Sequence, residues 1–325
     1  MSLLGTCRNN AQKKYNFKGV EIDMRTTSPS GQIVRAQTHN YRNITAVFFA
    51  ALLALFAQAQ YSLADEGVTA YFSKYSKVST EKVDHSAWSR MLSQYVSPGA
   101  DGVSLVDYAA WKATDHKNLK AYLAKLQGIE PRTLARNEQF AYWANLYNAK
   151  TIDVVLDHYP VQSIRDISIN EGLLGFLKKS VGAGGPWKAQ ILEVAGKQLS
   201  LDDIEHKILR PIFKDPRVHY AVNCASIGCP NLQTEAFSGT KLENQLNAGA
   251  KAYVNSARGI SVQDGEVHAS SIYQWFQTDF GGSEAAVLDH VRQFANPTLK
   301  AQLKGKTSIS SYGYDWSLNT IKRGS

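Results

Sequence analysis

The chain has 325 residues, 44% of them apolar, which is enough for one large domain or two small ones; its formal net charge is +8. Residues 1–64 hold seven of the 36 Lys and Arg residues and two of the 28 acidic ones, so the remainder carries 29 basic and 26 acidic side chains. This near balance excludes a strongly basic protein of the kind that binds nucleic acid or an anionic membrane through its net charge.

The first 64 residues have the layout of a secretory leader. An uncharged apolar run, residues 46–57, follows basic residues such as Arg42 and precedes small-residue cleavage sites. The run is shorter than the about 20 residues of a membrane-spanning helix, so a membrane anchor through residues 44–57 is the weaker alternative. The sequence therefore predicts export to the periplasm or the medium, a single domain over residues 65–325, and no contact with a membrane after the leader.

The first half of this domain is predicted to be helical. Apolar side chains recur at three- and four-residue spacing over residues 66–77, 83–96, 118–127 and 134–157. The last of these segments has the widest apolar face, and a helix that is apolar over so much of its surface belongs in the centre of a domain.

Shorter elements follow in the second half. Two hairpins are predicted, over residues 190–199 with a turn at Gly196-Lys197 and over residues 259–269 with a turn at Asp264-Gly265. Three more helices are expected over residues 201–209, 241–256 and 271–279, the first and last capped by Ser200 and Ser270. Helices segregated around a small, largely antiparallel sheet, with the helix at 134–157 buried at the centre, define an α+β class. The aromatic segment 312–319 is expected to pack back on the core.

Residues 216–230 concentrate the reactive side chains. His219 lies in an alternating apolar run that predicts a half-buried strand ending at Asn223, and Cys224 and Cys229 follow in a loop. The five-residue offset would place His219 and Cys224 on opposite faces of an ideal strand unless the chain turns at Asn223. The spacing allows a Cys-His pair without establishing one.

Five separated segments, taken in order, resemble one family. They are residues 140–149, 199–210, 215–230, 271–280 and 314–319, and the similarity extends over roughly residues 85–320. The family is the domain of unknown function 547, DUF547. Membership implies a common fold and a set of shared polar positions, but no settled reaction.

The cluster of His219, Cys224 and Cys229 admits three interpretations. Two cysteines in an exported domain favour a disulfide, with His219 as an ordinary core histidine. A Cys224 thiolate activated by His219, with Asn148 or Glu205 orienting the imidazole, would support acyl transfer on an amide or a thioester. A metal site is the weakest interpretation, because the spacing matches no standard zinc pattern, and no metal or other cofactor is predicted.

The other candidate residues have structural and functional alternatives. Asn145 and Asn148 lie one turn apart on an apolar helix, where their amides either bond to neighbouring backbone or contact a substrate. Glu205 could pair with Arg210 or Arg217, or it could orient His219. Substrate contacts are also assigned to Arg217, Tyr220 and Asn223.

Two further features remain open. The glycine-rich segment 182–186 is predicted to be a loop over a site, and Asp279 is as consistent with a helix end as with an acid. Two functions therefore compete. The first is a Cys-His thiol hydrolase or acyl transferase; the second is a non-catalytic, disulfide-stapled binding module for a peptide or a cell-envelope component.

Overall fold

The computed structural model describes residues 67–169 and 185–321, all of them within one unit that spans residues 57–325. The predicted leader at residues 1–64 and residues 182–184 of the predicted loop lie outside the described residues. Over the described ranges, no helix combines the length and the hydropathy needed to cross a membrane.

The described part of the chain is mainly helical. Its α-helices are α1 (67–72), α2 (Ser86–Tyr95), α3 (Tyr108–Thr114), α4 (His116–Gln127), α5 (Arg136–His158), α6 (Leu201–Asp203), α7 (Leu242–Val254), α8 (Ser271–Trp275), α9 (Glu284–Phe294) and α10 (Pro297–Gln302). Short 3₁₀ helices lie at Pro131–Thr133, Ile164–Asp166, Pro216–Tyr220 and Gln277–Phe280.

The strands form three small sheets. They are β1 (Val96–Pro98) with β2 (Ser104–Val106), β3 (Leu192–Val194) with β4 (Lys197–Leu199), and β5 (Ile260–Gln263) with β6 (Glu266–Ser270) and β7 (Ser311–Gly313). Every pair is antiparallel except β6 with β7, which is parallel. The predicted α+β class is confirmed, although the strands are divided among three sheets instead of one.

Helix α5 is the buried central helix that the sequence predicts. Of its 23 residues, 18 are buried, so nearly every face of the helix is covered by other elements. Helix α4 packs on one side and the segment 204–213 on another. Because few positions on α5 reach solvent, its polar side chains must find partners inside the protein.

The helix predicted over residues 201–209 extends to Phe213 and changes from an α-helix to a π-helix, which has more residues per turn. Ser200 and Asp203 form a reciprocal capping box at its start. From Ile204 to Phe213 the chain continues as a π-helix, which contains Pro211. Proline has no N–H for the regular α-helical bond, and π-helical turns often occur at functional sites.

The two predicted hairpins are present, with one correction. In the first hairpin the turn is Ala195-Gly196, not Gly196-Lys197, because Lys197 already pairs with Val194. Both turn residues have positive φ, 51° and 73°. Positive φ at both central residues is required by the type I′ turn, the two-residue hairpin turn whose twist matches that of the flanking strands. The second turn lies at Asp264-Gly265 as predicted.

The strand predicted around His219 is wrong, because residues Pro216–Tyr220 form a 3₁₀ helix. The Asp215 side chain accepts a hydrogen bond from the Arg217 N–H, and Pro216 occupies the first helical position. Val218 packs in the hydrophobic core around α5, whereas Tyr220 packs in a second core that includes α7, α9 and β5. The alternating apolar pattern arises because this turn lies between two cores.

The C-terminal segment packs back on the core, as predicted. Leu318 forms an isolated bridge with Ser226, and Thr320 forms another with Val106. The backbone N–H groups of Ile227 and Gly228 donate to carbonyl groups of this segment at 2.8 Å each. These bonds hold the aromatic residues of the C-terminal segment beside the loop that carries the two cysteines.

Candidate functional site

A cleft of about 490 Å³ lies where the π-helix, the cysteine loop, α8 and the C-terminal segment meet. Its lining includes three groups of side chains. An aromatic wall comprises Trp187, Trp275, Phe276, Tyr314 and Trp316; a polar end comprises Tyr147, Asp202, Glu205, His206 and His219; and the cysteine pair lies at Cys224 and Cys229.

The aromatic wall is formed by rings from three separate segments. Trp316 is at its centre, with its ring 4.6 Å from the ring of Tyr314, 5.8 Å from that of Trp275 and 5.8 Å from that of Trp187. Trp275, at the end of α8, remains 48% exposed. The rings support one another while keeping one large apolar surface open to solvent.

The polar end places carboxylates beside hydrogen-bond donors. Glu205 accepts a hydrogen bond of 3.2 Å from the Tyr147 hydroxyl, and Asp202 lies 3.5 Å from the His206 ring. Burial, with a smaller contribution from Glu205, raises the pKa of Tyr147 well above its ordinary value. Tyr147 therefore stays protonated and serves only as a donor to Glu205.

His219 is held by the Asp279–Arg210 ion pair and by an aromatic ring. Its Nε2 lies 2.7 Å from Asp279 Oδ2, and its ring stacks on Phe276 at 4.2 Å. Arg210 donates two hydrogen bonds to the same carboxylate, at 2.6 and 3.2 Å. Burial opposes the charge on Asp279, but the hydrogen bonds from His219 and Arg210 outweigh burial and hold the pKa of Asp279 well below its ordinary value.

The structure joins Cys224 and Cys229 as a disulfide, with their Cα atoms 6.3 Å apart. The chain turns sharply after Asn223, where Ala225 has a φ of 60°. The turn places the cysteine pair in the same cleft as His219. In this state neither sulfur is a thiolate, so the cleft holds no free cysteine nucleophile.

Three candidate amides are fully engaged with backbone. Asn148 donates to the Ala221 carbonyl at 2.9 Å and accepts from the Asn223 N–H at 2.8 Å. Asn145 forms a matching pair of bonds with Phe237, at 2.8 and 3.0 Å. Asn223 donates to Pro230 and accepts from the Ala225 N–H. All three fix loops, and none of them lines the cleft.

Two other candidates also lie away from the cleft. Arg217 pairs with Asp215 at 2.6 Å and with Glu243 at 2.9 Å. Tyr220 is in the second core, where its hydroxyl lies 2.9 Å from His290 Nε2. Of the predicted site residues, the cleft brings together His219, Glu205 and the two cysteines.

Sequence reasoning missed the aromatic wall and the partners of His219. The sequence pattern predicts only that the segment containing Trp316 packs back on the core. Arg210 and Asp279 are 69 residues apart in the chain, so no local pattern links them. The high density of aromatic residues at 312–316 and around Trp275 is the sequence feature that could have indicated the aromatic wall. Their convergence depends on tertiary contacts.

One group of side chains in the described part of the chain has the arrangement of metal ligands, namely His116, Asp153 and Asp157. Lys120 contacts both carboxylates, at 2.8 and 3.0 Å, and Lys150 contacts Asp153 at 2.9 Å. These ammonium groups already neutralise the carboxylates. We interpret the group as an ion-pair network.

Comparison with known families gives one match. Residues 131–254 match the model of DUF547, described as a protein of unknown function. The sequence resemblance is thereby confirmed over this segment, which contains α5, the π-helix, the cysteine loop and α7. No curated protein and no solved structure matches the chain.

Proposed function

We propose that this DUF547 domain is a binding module whose cleft receives an extended peptide with a lysine- or arginine-like side chain. The observation that carries the proposal is the pairing of the aromatic wall with the carboxylates of Asp202 and Glu205 in one cleft. Aromatic faces and carboxylates both attract a cation on an apolar stem. A peptide supplies that side chain together with backbone groups for the hydrogen-bonding residues nearby.

The aromatic wall supports binding because it is already assembled. Trp316 contacts the rings of Trp187, Tyr314 and Trp275, so a ligand would not have to order these side chains. Trp275 is one of the few large apolar side chains that the described fold leaves exposed. An exposed large apolar side chain at the edge of a cleft is typical of a recognition surface.

The fixed charges favour a cation. Asp202 and Glu205 contribute two carboxylates to the lining, and Lys188 contributes one ammonium group. The Glu205 side chain is only 13% exposed, which strengthens its attraction for a partner charge that enters the cleft. If the predicted leader directs export, the peptides available to the cleft are those of the cell envelope.

The disulfide supports binding over catalysis. Papain-like chemistry needs a cysteine thiolate beside the imidazole, and a sulfur in a disulfide cannot attack a carbonyl group. The tight pairing of His219 with Asp279 is then a structural feature that fixes one end of the cleft.

A second function rests on a different observation. His219 and Cys224 line the same cleft, so reduction of the disulfide would leave a thiol and an imidazole in one site. The corresponding activity is thiol-dependent hydrolysis or acyl transfer on an amide or a thioester. It requires that the protein be reduced where it acts, and alkylation without reductant, followed by intact-mass measurement, would then modify both Cys224 and Cys229.

Binding is tested by titrating the protein with acetylated Gly-Lys-Gly amide and with its norleucine counterpart, followed by tryptophan fluorescence and calorimetry. We expect the lysine peptide to bind more tightly than the norleucine peptide. Trp275→Ala should weaken the affinity for the lysine peptide roughly tenfold, because a desolvated aromatic contact is lost. Glu205→Gln should reduce the preference for lysine over norleucine. Tyr75→Ala is the matched control, because Tyr75 is 37% exposed and does not line the cleft.

Equal affinity for the lysine and norleucine peptides would contradict the assignment of a cationic ligand. Unchanged binding by Trp275→Ala, or an equal loss in Tyr75→Ala, would contradict the assignment of the aromatic wall as the binding surface.

A further inference from the structure

The cysteine pair differs in accessibility at its two ends. Both sulfurs belong to residues that line the cleft, but Cys229 is only 3% exposed, whereas Cys224 is partly exposed. A thiolate attacks a disulfide along the S–S axis, from the side opposite the leaving sulfur. A molecule in the cleft can therefore reach Cys224 more readily than Cys229.

The buried sulfur is surrounded by hydrogen-bond donors. The Cys224 backbone N–H lies 2.9 Å from Cys229 Sγ. The Tyr314 hydroxyl lies 3.1 Å from Cys229 Sγ and also 3.1 Å from Cys224 Sγ, so the N–H and the deeper burial are what distinguish Cys229. The Ser226 hydroxyl donates to the Tyr314 oxygen at 3.0 Å, which leaves the Tyr314 proton free to point at sulfur. Burial raises the pKa of Tyr314 far above its ordinary value, so this donor keeps its proton.

A positive charge also lies next to Cys229. Arg258 donates from Nε to the Cys229 carbonyl at 3.0 Å and from one terminal nitrogen to Asn231 at 2.6 Å. Its other terminal nitrogen is buried and has no hydrogen-bond partner among the described residues. Hydrogen-bond donors at a sulfur lower the pKa of its thiol and make it a better leaving group, and the Arg258 charge at the Cys229 backbone acts in the same direction.

The loop does not depend on the disulfide for its shape. Asn223 bonds to Pro230 at 2.7 Å and to Ala225 at 2.8 Å, across the base of the loop. The N–H groups of Ile227 and Gly228 bond to the C-terminal segment at 2.8 Å each. Reduction of the cysteine pair would therefore leave the cleft folded.

From these contacts we propose that Cys224–Cys229 is an exchangeable disulfide that accepts two electrons from a dithiol entering the cleft, with Cys224 as the attacked sulfur and Cys229 as the leaving thiolate. This is a thiol–disulfide exchange activity, and it does not depend on the peptide ligand proposed above. The electron donor is defined by chemistry as a small dithiol or a pair of peptide cysteines.

The exchange balances in two steps. A donor thiolate attacks Cys224 Sγ, a mixed disulfide forms, the Cys224–Cys229 bond breaks, and Cys229 leaves as a thiolate that the Tyr314 hydroxyl and the Cys224 N–H stabilise. The second donor thiol is deprotonated by solvent and attacks the donor's first sulfur, which is bonded to Cys224 in the mixed disulfide. This attack releases the Cys224 thiolate. The donor leaves as a disulfide, and the two protein thiolates take up the two protons the donor lost.

The test measures reduction of the folded full-length protein by dithiothreitol, with intact mass after rapid alkylation as the readout. All proteins in this and the following experiment carry Cys7→Ser, which removes the third cysteine of the chain. We expect Tyr314→Phe to lower the equilibrium constant for reduction about tenfold, which is about 30 mV for a two-electron couple. The rate should fall roughly three- to tenfold, because the leaving thiolate loses a donor. Tyr312→Phe is the matched control, since the Tyr312 hydroxyl bonds to Glu284 at 2.9 Å and contacts neither sulfur.

A trapping experiment identifies the attacked sulfur. With a small aromatic disulfide as probe, Cys229→Ser should form a mixed disulfide at Cys224 under native conditions, whereas Cys224→Ser should react at Cys229 only after denaturation. Three results would overturn the proposal: a wild-type disulfide that dithiothreitol reduces only in denaturant, equal behaviour of Tyr314→Phe and Tyr312→Phe, or faster trapping at Cys229. Peptide binding is measured separately, so failure of either proposal leaves the other testable.

Discussion

The six tryptophans of the chain divide evenly between two regions of the molecule. Trp88, Trp111 and Trp143 are 0–1% exposed in the core around α5. The other three lie in the aromatic wall of the cleft, where Trp275 is 48% exposed. The comparison shows that residue type does not separate packing from recognition. The deciding factor is whether neighbouring elements cover every face of the ring.

The polar side chains show the same contrast. Asn148, on the central helix, uses its oxygen and its nitrogen in bonds of 2.8 and 2.9 Å to backbone, so it has little capacity left for a ligand. Glu205, on the π-helix, accepts one hydrogen bond from Tyr147, lies 4.0 Å from His206 Nδ1 through its other oxygen, and lines the cleft. Both positions looked equivalent in sequence, because each is a polar residue within an apolar helix.

The largest expected effect is at the core tryptophans. Trp143→Ala should destabilise the domain by about 3–5 kcal/mol, because it removes a fully buried ring and leaves a cavity. Trp275→Ala should change the free energy of unfolding by no more than about 0.5 kcal/mol, as is usual for an exposed position. Urea unfolding followed by circular dichroism measures both. Similar losses in the two variants would break the distinction between core and cleft.

A milder substitution sharpens this result. The Trp143 indole N–H is buried and has no partner within the described ranges. Trp143→Phe should therefore cost less than Trp143→Ala, because it removes the unpaired donor together with part of the ring. A loss in Trp143→Phe as large as that in Trp143→Ala would show that the indole N–H has a partner.

An intermediate effect is expected at the central amide. Asn148→Ala should destabilise the domain by about 2–3 kcal/mol, since it leaves a buried carbonyl and a buried N–H without partners. The matched control is Asn255→Ala, at an exposed amide that bonds to Phe294 at 2.9 Å, and it should cost much less. A stable Asn148→Ala variant that had lost peptide binding would instead assign Asn148 to the binding site.

The smallest effect is expected at the pair that fixes His219. Asp279→Asn should cost about 1 kcal/mol at neutral pH, a value discounted for the partial exposure of the carboxyl group. The pKa of Asp279 is lower in the folded protein than in the unfolded chain, so its contribution is present above about pH 4 and is lost as the pH falls toward the folded value.

The wild type should therefore lose more stability than Asp279→Asn when thermal unfolding is followed from about pH 5 down to about pH 2. Parallel pH profiles for the two proteins would mean that the Asp279 carboxylate is not held by His219 and Arg210 in solution.

Local patterns in the sequence determined the secondary structure where one element has one environment. The periodicity at 134–157 predicted the central helix, and Ser200, Ser270 and Asp264-Gly265 predicted caps and a turn that depend on a few neighbouring residues. The strand predicted at His219 was wrong because the residues there face two different cores, which periodicity cannot distinguish from the two faces of a sheet.

The composition of the cleft was decided by the tertiary structure. The two cysteines are close in sequence, so their pairing could be anticipated from local spacing and the predicted export. Asp279 reaches His219 across 60 residues, and Tyr314 reaches Cys224 across 90. Contacts of this kind depend on how α8 and the C-terminal segment pack against the π-helix and the cysteine loop. No single window of sequence contains that information, because the packing energy is shared among segments that are distant along the chain.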